Sequence, residues 1–249
     1  MKKLCLLACS IALAAFLGAC GDDEPSGPVP TVEFTQDRNF SEPGGTVTFT
    51  NSTVDADSYF WEFGDGGIST DENPTHTYME KGDYTVTLKA RGSGGQEASS
   101  TATVVVGSRF VTAISFIAVN PNNPDGEPWD DDETGPDLFF LIDETANVTD
   151  PRRFTVIDDL IQSQVPFEGS IDQEGQFALT DTDWTFILLD NDDPFDEISL
   201  AEDGDDLMLF AEGNPTQSGV VDFQSGQGIL KLLTQDESVE IDLNFQIRN

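Results

Sequence analysis

Tyr59-Phe60-Trp61-Glu62-Phe63-Gly64-Asp65-Gly66 carries the strongest structural signal in the first half of this chain. Trp61 and Phe63 stand two residues apart, so on a strand both point to one face, where each aromatic buries roughly 150–250 Å². Gly64-Asp65-Gly66 then breaks the strand, because glycine reaches positive φ without penalty and aspartate favours turns. Working outward, Thr46-Val47-Thr48-Phe49-Thr50, Tyr84-Thr85-Val86-Thr87-Leu88 and Thr101-Ala102-Thr103-Val104-Val105-Val106 alternate apolar and polar residues with period two. Turn signals separate these runs, and no helical period of comparable length competes with them. Residues 31–107 therefore read as a small β-sandwich.

Two further motifs follow the first in order: Asn73-Pro74-Thr75-His76-Thr77-Tyr78, then Gly82-Asp83-Tyr84-Thr85-Val86-Thr87-Leu88. Together the three strongly resemble the polycystic kidney disease (PKD) domain family. The resemblance implies an immunoglobulin-like sandwich that serves extracellular proteins as a spacer or contact module and is not catalytic. Glu62 stands where the family more often has Asp. His76, the single histidine of the chain, occupies a framework position of the family, so its expected role is structural rather than catalytic or metal-binding.

The second half, residues 109–249, reads as all-β as well. Strands are expected at 110–119, 138–142, 153–157, 176–179, 184–189, 206–210, 219–223, 228–233 and 239–247, with one turn of helix at 158–161. Eight or nine strands in so short a stretch indicate a second sandwich. The expected fold is thus all-β, with two consecutive β-sandwich domains.

Two acidic runs border apolar strands of this second domain. Trp129-Asp130-Asp131-Asp132-Glu133-Thr134-Gly135-Pro136-Asp137 leads into Leu138-Phe139-Phe140-Leu141, and Asp190-Asn191-Asp192-Asp193-Pro194-Phe195-Asp196-Glu197 follows Trp184–Leu189. Ca²⁺ takes six to eight oxygens at about 2.3–2.6 Å, mostly from loop carboxylates and carbonyls, and two such loops at one sandwich end suit it. The runs resemble the calcium-binding loops of the protein kinase C conserved region 2 domain. That resemblance implies metal ligands at Asp131 and Asp137 in the first loop and at Asp190, Asp192 and Asp196 in the second. Pro136 precedes Asp137 rather than following it, and Asp196 comes early for the family pattern. Beyond Arg152-Arg153 no polybasic strand accompanies the loops, so phospholipid binding does not follow. Asp-x-Asp recurs five times in this acidic chain, starting at Asp55, Asp130, Asp181, Asp190 and Asp203, so position beside a strand carries the argument. Adaptation of the surface to high salt explains the same acidity, and the two readings are compatible.

The amino terminus is an address. Lys2 and Lys3 precede the apolar run Leu4–Leu17, too short to span a bilayer comfortably and of the length of a signal-peptide core. Leu17-Gly18-Ala19-Cys20 closely resembles the lipobox of bacterial lipoproteins, which implies cleavage before Cys20 and lipid attached to that residue. Residues 1–19 are then the signal peptide and 20–30 a tether rich in acid and proline. Cys5 and Cys9 leave with the signal, so one mature chain holds no disulfide. Asp22-Asp23-Glu24 behind the lipidated cysteine resembles the export signal of Bacteroidota surface lipoproteins. The expected location is the outer membrane, lipid-anchored and facing the exterior, with the lipid as the sole membrane contact.

Composition excludes other classes. The 249 residues carry 47 acids against 11 Lys and Arg, a formal net charge of −36. Nucleic acid needs basic clusters that this chain lacks. One His and three Cys leave little for zinc or a histidine triad, and no G-x-S-x-G, Walker or H-E-x-x-H motif occurs. The expected function is a non-enzymatic, surface-anchored binding or adhesion protein whose partner is an extracellular protein or glycan and whose second domain binds Ca²⁺. The alternative is a polysaccharide-binding accessory protein of an outer-membrane uptake or hydrolysis system, for which Trp129 is the one evident exposed aromatic.

Overall fold

The computed structural model describes residues 27–120, 122, 126, 138–145, 152–157, 165–170, 177–190, 207–235 and 237–249. The chain is almost entirely β. The first sandwich is built from β1 (Phe34–Gln36), β2 (Phe40–Ser41), β3 (Gly45–Asn51), β4 (Ser58–Glu62), β5 (Ile68–Ser69), β6 (Thr75–Tyr78), β7 (Gly82–Arg91) and β8 (Glu97–Val106). One sheet runs β1-β3-β6 and the other β2-β8-β7-β4-β5. Alternation sets what each strand contributes: Val47 and Phe49 of β3 face Trp61 of β4 and Val86 and Leu88 of β7, all fully buried. Phe34, Phe49, Trp61 and Phe63 form one aromatic cluster with neighbouring ring centroids 5.0–6.5 Å apart. Each such side chain contributes about 1.5–3 kcal/mol by leaving water.

The second sandwich begins one residue later. It comprises β9 (Ser108–Val119), β10 (Leu138–Glu144), β11 (Arg152–Ile157), β12 (Phe167–Ser170), β13 (Ala178–Leu179), β14 (Trp184–Asp190), β15 (Leu207–Gly213), the single helical turn α1 (Pro215–Ser218), β16 (Val220–Asp222), β17 (Gln227–Leu233) and β18 (Val239–Arg248). A four-stranded sheet β11-β10-β14-β15 packs on a six-stranded one, ordered β12-β9-β18-β17-β16 with β13 also on β9. Phe140, Ile142, Phe186 and Leu188 from the first meet Phe116, Ile241, Leu243 and Phe245 from the second. All nine expected strands are present, with ends that coincide or differ by at most three residues. The expected helical turn at 158–161 lies outside the described residues. Strand β12 was missed because Pro166 precedes it and Gly169 sits within it, both strand-breaking signals that an edge position tolerates. The helical turn α1 was missed as well; Asn214 caps it, its side chain accepting from the Thr216 N–H, with Pro215 first inside.

Strands β10 and β14 read as unbroken apolar runs because both faces are used. Leu138, Phe140 and Ile142 belong to the main core, whereas Leu141, Ile187 and Leu189 form a separate buried cluster on the opposite face.

The two sandwiches are locked together. Gly107 alone separates β8 from β9, its N–H donating to the Ser41 carbonyl at 3.0 Å, and a Cβ there would run into the Arg248 carbonyl. The N–H groups of Asn39 and Phe40 both donate to the Phe223 carbonyl at 2.9 Å, and the Gln224 amide donates to the Asp37 carbonyl at 2.6 Å. Arg109, 4% exposed, sits at the centre of this junction. Its Nε and Nη2 donate to the two Glu42 carboxylate oxygens at 3.0 and 2.7 Å, and Nη1 and Nη2 donate to the Pro215 and Thr216 carbonyls at 2.8 and 2.9 Å. The guanidinium also lies 5.2 Å from the Phe245 ring centroid. One residue thereby ties the first sandwich to the α1 turn and the core of the second.

Candidate functional site

The first motif forms a folded framework. Gly64 has φ +91°, and a Cβ there would come within 2.8 Å of the Thr85 carbonyl oxygen, so both backbone conformation and space demand glycine. Trp61 Nε1–H donates to the Asp71 carbonyl at 3.0 Å, and the Tyr78 hydroxyl donates to the Phe63 carbonyl at 3.0 Å. Burial pushes the Tyr78 phenol well above its usual range. The His76 ring stacks on Phe63 at 4.1 Å between centroids, and its Nε2 lies 2.7 Å from Asp65 Oδ2. Asp65 Oδ1 accepts from the Gly67 N–H at 2.9 Å. Burial alone raises the Asp65 carboxyl, but the hydrogen bonds from His76 and Gly67 outweigh it and hold the group below its ordinary value. His76 thus joins the turn to the core. Residues 28–106 match the PKD domain family. They form a PKD domain.

Curated relatives match the chain in part. Collagenase ColA of Bacillus cereus is 36% identical over 129 residues, 50% of this chain and 12% of that protein. A microbial collagenase of Vibrio alginolyticus is 38% identical over 69 residues, 28% of this chain and 7% of that protein. The chain therefore spans a small fraction of the length of these relatives. Among solved structures, the PKD1 domain of Vibrio anguillarum Epp is 28% identical over 32% of this chain and 96% of its own, with a TM-score of 0.29.

The expected metal ligands belong to the second domain. Asp131, Asp137, Asp192 and Asp196 lie outside the described residues, as do Trp129 and Cys20. Asp190 is the last residue of β14, and its backbone pairs with Leu138, the first residue of β10. Ile157, the last residue of β11, also pairs with Leu138, and Leu207, the first of β15, pairs with Leu189. The strand that follows the first acidic run and the strand that precedes the second are therefore neighbours at the centre of the sheet, with those strand ends side by side. Among the described residues, no three His, Cys, Asp or Glu gather as a metal-holding group. None of their helices is long and apolar enough to cross a membrane.

A concavity of about 500 Å³ opens on the outer face of the six-stranded sheet, lined among others by Thr112, Glu168, Asp222, Gln227, Ile229 and Asn244. Asn244 Nδ2 donates to Ser115 Oγ at 2.7 Å, and Ser115 Oγ donates to Glu168 Oε2 at 3.3 Å. Asp222 accepts from the Gln224 N–H at 2.9 Å and from Ser225 Oγ at 2.7 Å, which holds its carboxyl below the usual value and keeps it anionic. Further along the same face Lys231 bridges Glu240 at 2.6 Å and Asp242 at 3.0 Å. Sequence reading missed this groove, because five separate strands each supply one or two ordinary polar residues. The available signal was weak: polar residues on the outward positions of 239–248 and 227–233, grouped only once the strands pair.

Proposed function

We propose that this chain is a non-enzymatic binding or adhesion lipoprotein, anchored in a bacterial outer membrane by lipid on Cys20 and displayed to the exterior. The observation that carries the reading is the PKD domain at residues 28–106, joined through a one-residue junction to a second sandwich. A rigid pair of all-β modules suits presentation of a binding surface away from a membrane. Cys20→Ser leaves an unlipidated precursor that partitions into water rather than detergent, and retention with salt-washed membranes refutes the anchor.

We propose further that the second domain binds Ca²⁺ through Asp131, Asp137, Asp190, Asp192 and Asp196. The pairing of Leu138 with Asp190 supports this, since it sets the residue that follows the first acidic run beside the residue that opens the second. A ligand that binds only the folded state stabilises it by about 2.7 kcal/mol at a hundredfold excess over Kd. Extracellular calcium sites have Kd of about 10⁻⁴–10⁻³ M, so about 10 mM Ca²⁺, roughly ten- to a hundredfold over Kd, stabilises by about 1.4–2.7 kcal/mol and raises the melting temperature beyond sodium chloride of matched ionic strength. Asp190→Asn with Asp192→Asn abolishes that calcium-specific rise. Equal responses of the unaltered protein to the two salts refute the site and leave salt adaptation as the source of the acidity.

A further inference from the structure

We propose that the groove on the outer face of the six-stranded sheet binds an uncharged glycan chain. This deepens the binding-module reading and rests on it, naming the surface and the ligand class. Strand register assembles the site: Gln227 pairs with Gln246, Ile229 with Asn244, Asn244 with Ala113, and Val220 with Ile229. Three carboxamides thus stand side by side. Asn244 commits one donor to Ser115, and Gln246 commits its Nε2 to the Ser225 and Ile247 carbonyls. Among the described residues, nothing occupies the amide oxygens of these two or the side-chain amide of Gln227. Polar groups in that arrangement match the donor–acceptor hydroxyls of a sugar. Asp222 and Glu168 add carboxylate acceptors at the border, and a neutral polyol can donate to both.

The apolar part fits the same ligand. Val220 and Ile229, paired across the strands, are 77% and 39% exposed and offer a flat patch to the C–H face of a pyranose. No described lining residue is Lys or Arg, and the nearby Lys231 is held by Glu240 and Asp242. Phosphorylated, sulfated and uronate chains therefore meet like charge here, on a protein of net charge −36. An extended peptide adding to the sheet would pair at the edge of β16, whereas this concavity lies on the face. Its volume falls in the roughly 300–1,000 Å³ range of small-ligand sites, room for a few sugar units.

The PKD domain helps to build the site. Asp222 and Ser225 begin and nearly end the turn whose Phe223 and Gln224 are hydrogen-bonded to Asp37, Asn39 and Phe40. Affinity electrophoresis of the full chain through gels containing β-glucan, xylan, mannan or amylose tests the proposal, with polygalacturonate and heparin as anionic controls. Retardation is expected in at least one neutral gel and in neither control. Gln227→Ala and Asn244→Ala should each weaken it about five- to tenfold, the loss of one or two hydrogen bonds. Gln227 is exposed, so its variant keeps the fold even if Asn244→Ala does not. Passage through every neutral gel without retardation overturns the groove, as does retardation that survives Gln227→Ala in a protein of unchanged melting temperature. If the chain ignores the polysaccharides yet adheres to a protein-coated surface, the groove falls and the binding-module reading stands.

Discussion

Arg109→Met should uncouple the two domains. The guanidinium makes four hydrogen bonds, two to Glu42 and two to the α1 carbonyls, from a position 4% exposed. Hydrogen bonds involving a charged group contribute about 1.5–3 kcal/mol each, but desolvation of a buried charge offsets much of that sum. Methionine keeps the apolar stem and removes the desolvation cost. Glu42, a quarter exposed, rehydrates, while the Thr216 carbonyl loses its donor. The expected net loss is about 2–3 kcal/mol, below the range of about 3–5 for breaking a fully buried pair. Glu42→Gln should lose only about 1–2 kcal/mol, because an amide oxygen still accepts and the two carbonyls still hold the guanidinium.

The assay is urea unfolding followed by tryptophan fluorescence in a Trp129→Phe background, where Trp61 reports on the PKD domain and Trp184 on the second domain. Both tryptophans are buried in their respective cores, so each changes emission when its own domain unfolds. The parent should unfold in one transition, and Arg109→Met in two. A double-mutant cycle of the two substitutions should return a coupling of about 1–2 kcal/mol, the size found for contacting residues in one network. A coupling under about 0.5 kcal/mol, the usual limit of additivity for independent sites, would refute the claim that this pair joins the domains.

Other expectations follow from the PKD framework. The Asp65 carboxyl is held below its ordinary value in the folded state, so its stabilisation is complete above the unfolded value near pH 3.9 and fades as pH falls through the folded one. Asp65→Asn should therefore be less stable than the parent by about 0.5–1 kcal/mol at pH 7, a modest figure for a solvent-screened pair, with the gap closing below about pH 4 in thermal melts. Gly64→Ala combines a positive φ with a Cβ 2.8 Å from the Thr85 carbonyl, and should destabilise by about 2–4 kcal/mol in denaturant titration. A loss under about 1 kcal/mol would show that the β4–β5 turn relaxes freely.

Much of the fold was legible along the chain, for reasons visible in particular residues. Thr46–Thr50 and Tyr84–Leu88 alternate because each has one face on a core and one in water, and that period survives in sequence. Phe139–Ile142 and Phe186–Leu189 were recognisable as strands from apolarity and length, yet their second buried face was not, since an unbroken run looks the same whatever covers it. Phe167–Ser170 failed to register because Pro166 and Gly169 mask an edge strand. Of the expected calcium ligands, Asp190 alone falls in the described structure, as the last residue of β14 rather than in the loop after it.

The two sandwiches, the PKD motif and the acidic runs beside β10 and β14 can be read along the chain, because each depends on spacing over a few residues. Tertiary structure alone decided how they combine. Arg109 is an ordinary basic residue until Glu42, 67 positions away, and the α1 carbonyls, more than 100 positions away, converge on it. Gly107 looks like a flexible joint until Arg248, at the far end of the chain, closes over it. The groove exists only when β9, β12, β16, β17 and β18 pair, since antiparallel register sets Asn244 beside Ala113 across 131 positions of chain. Short-range periodicity records which face of a strand is buried; it holds no information about which distant strand lies alongside.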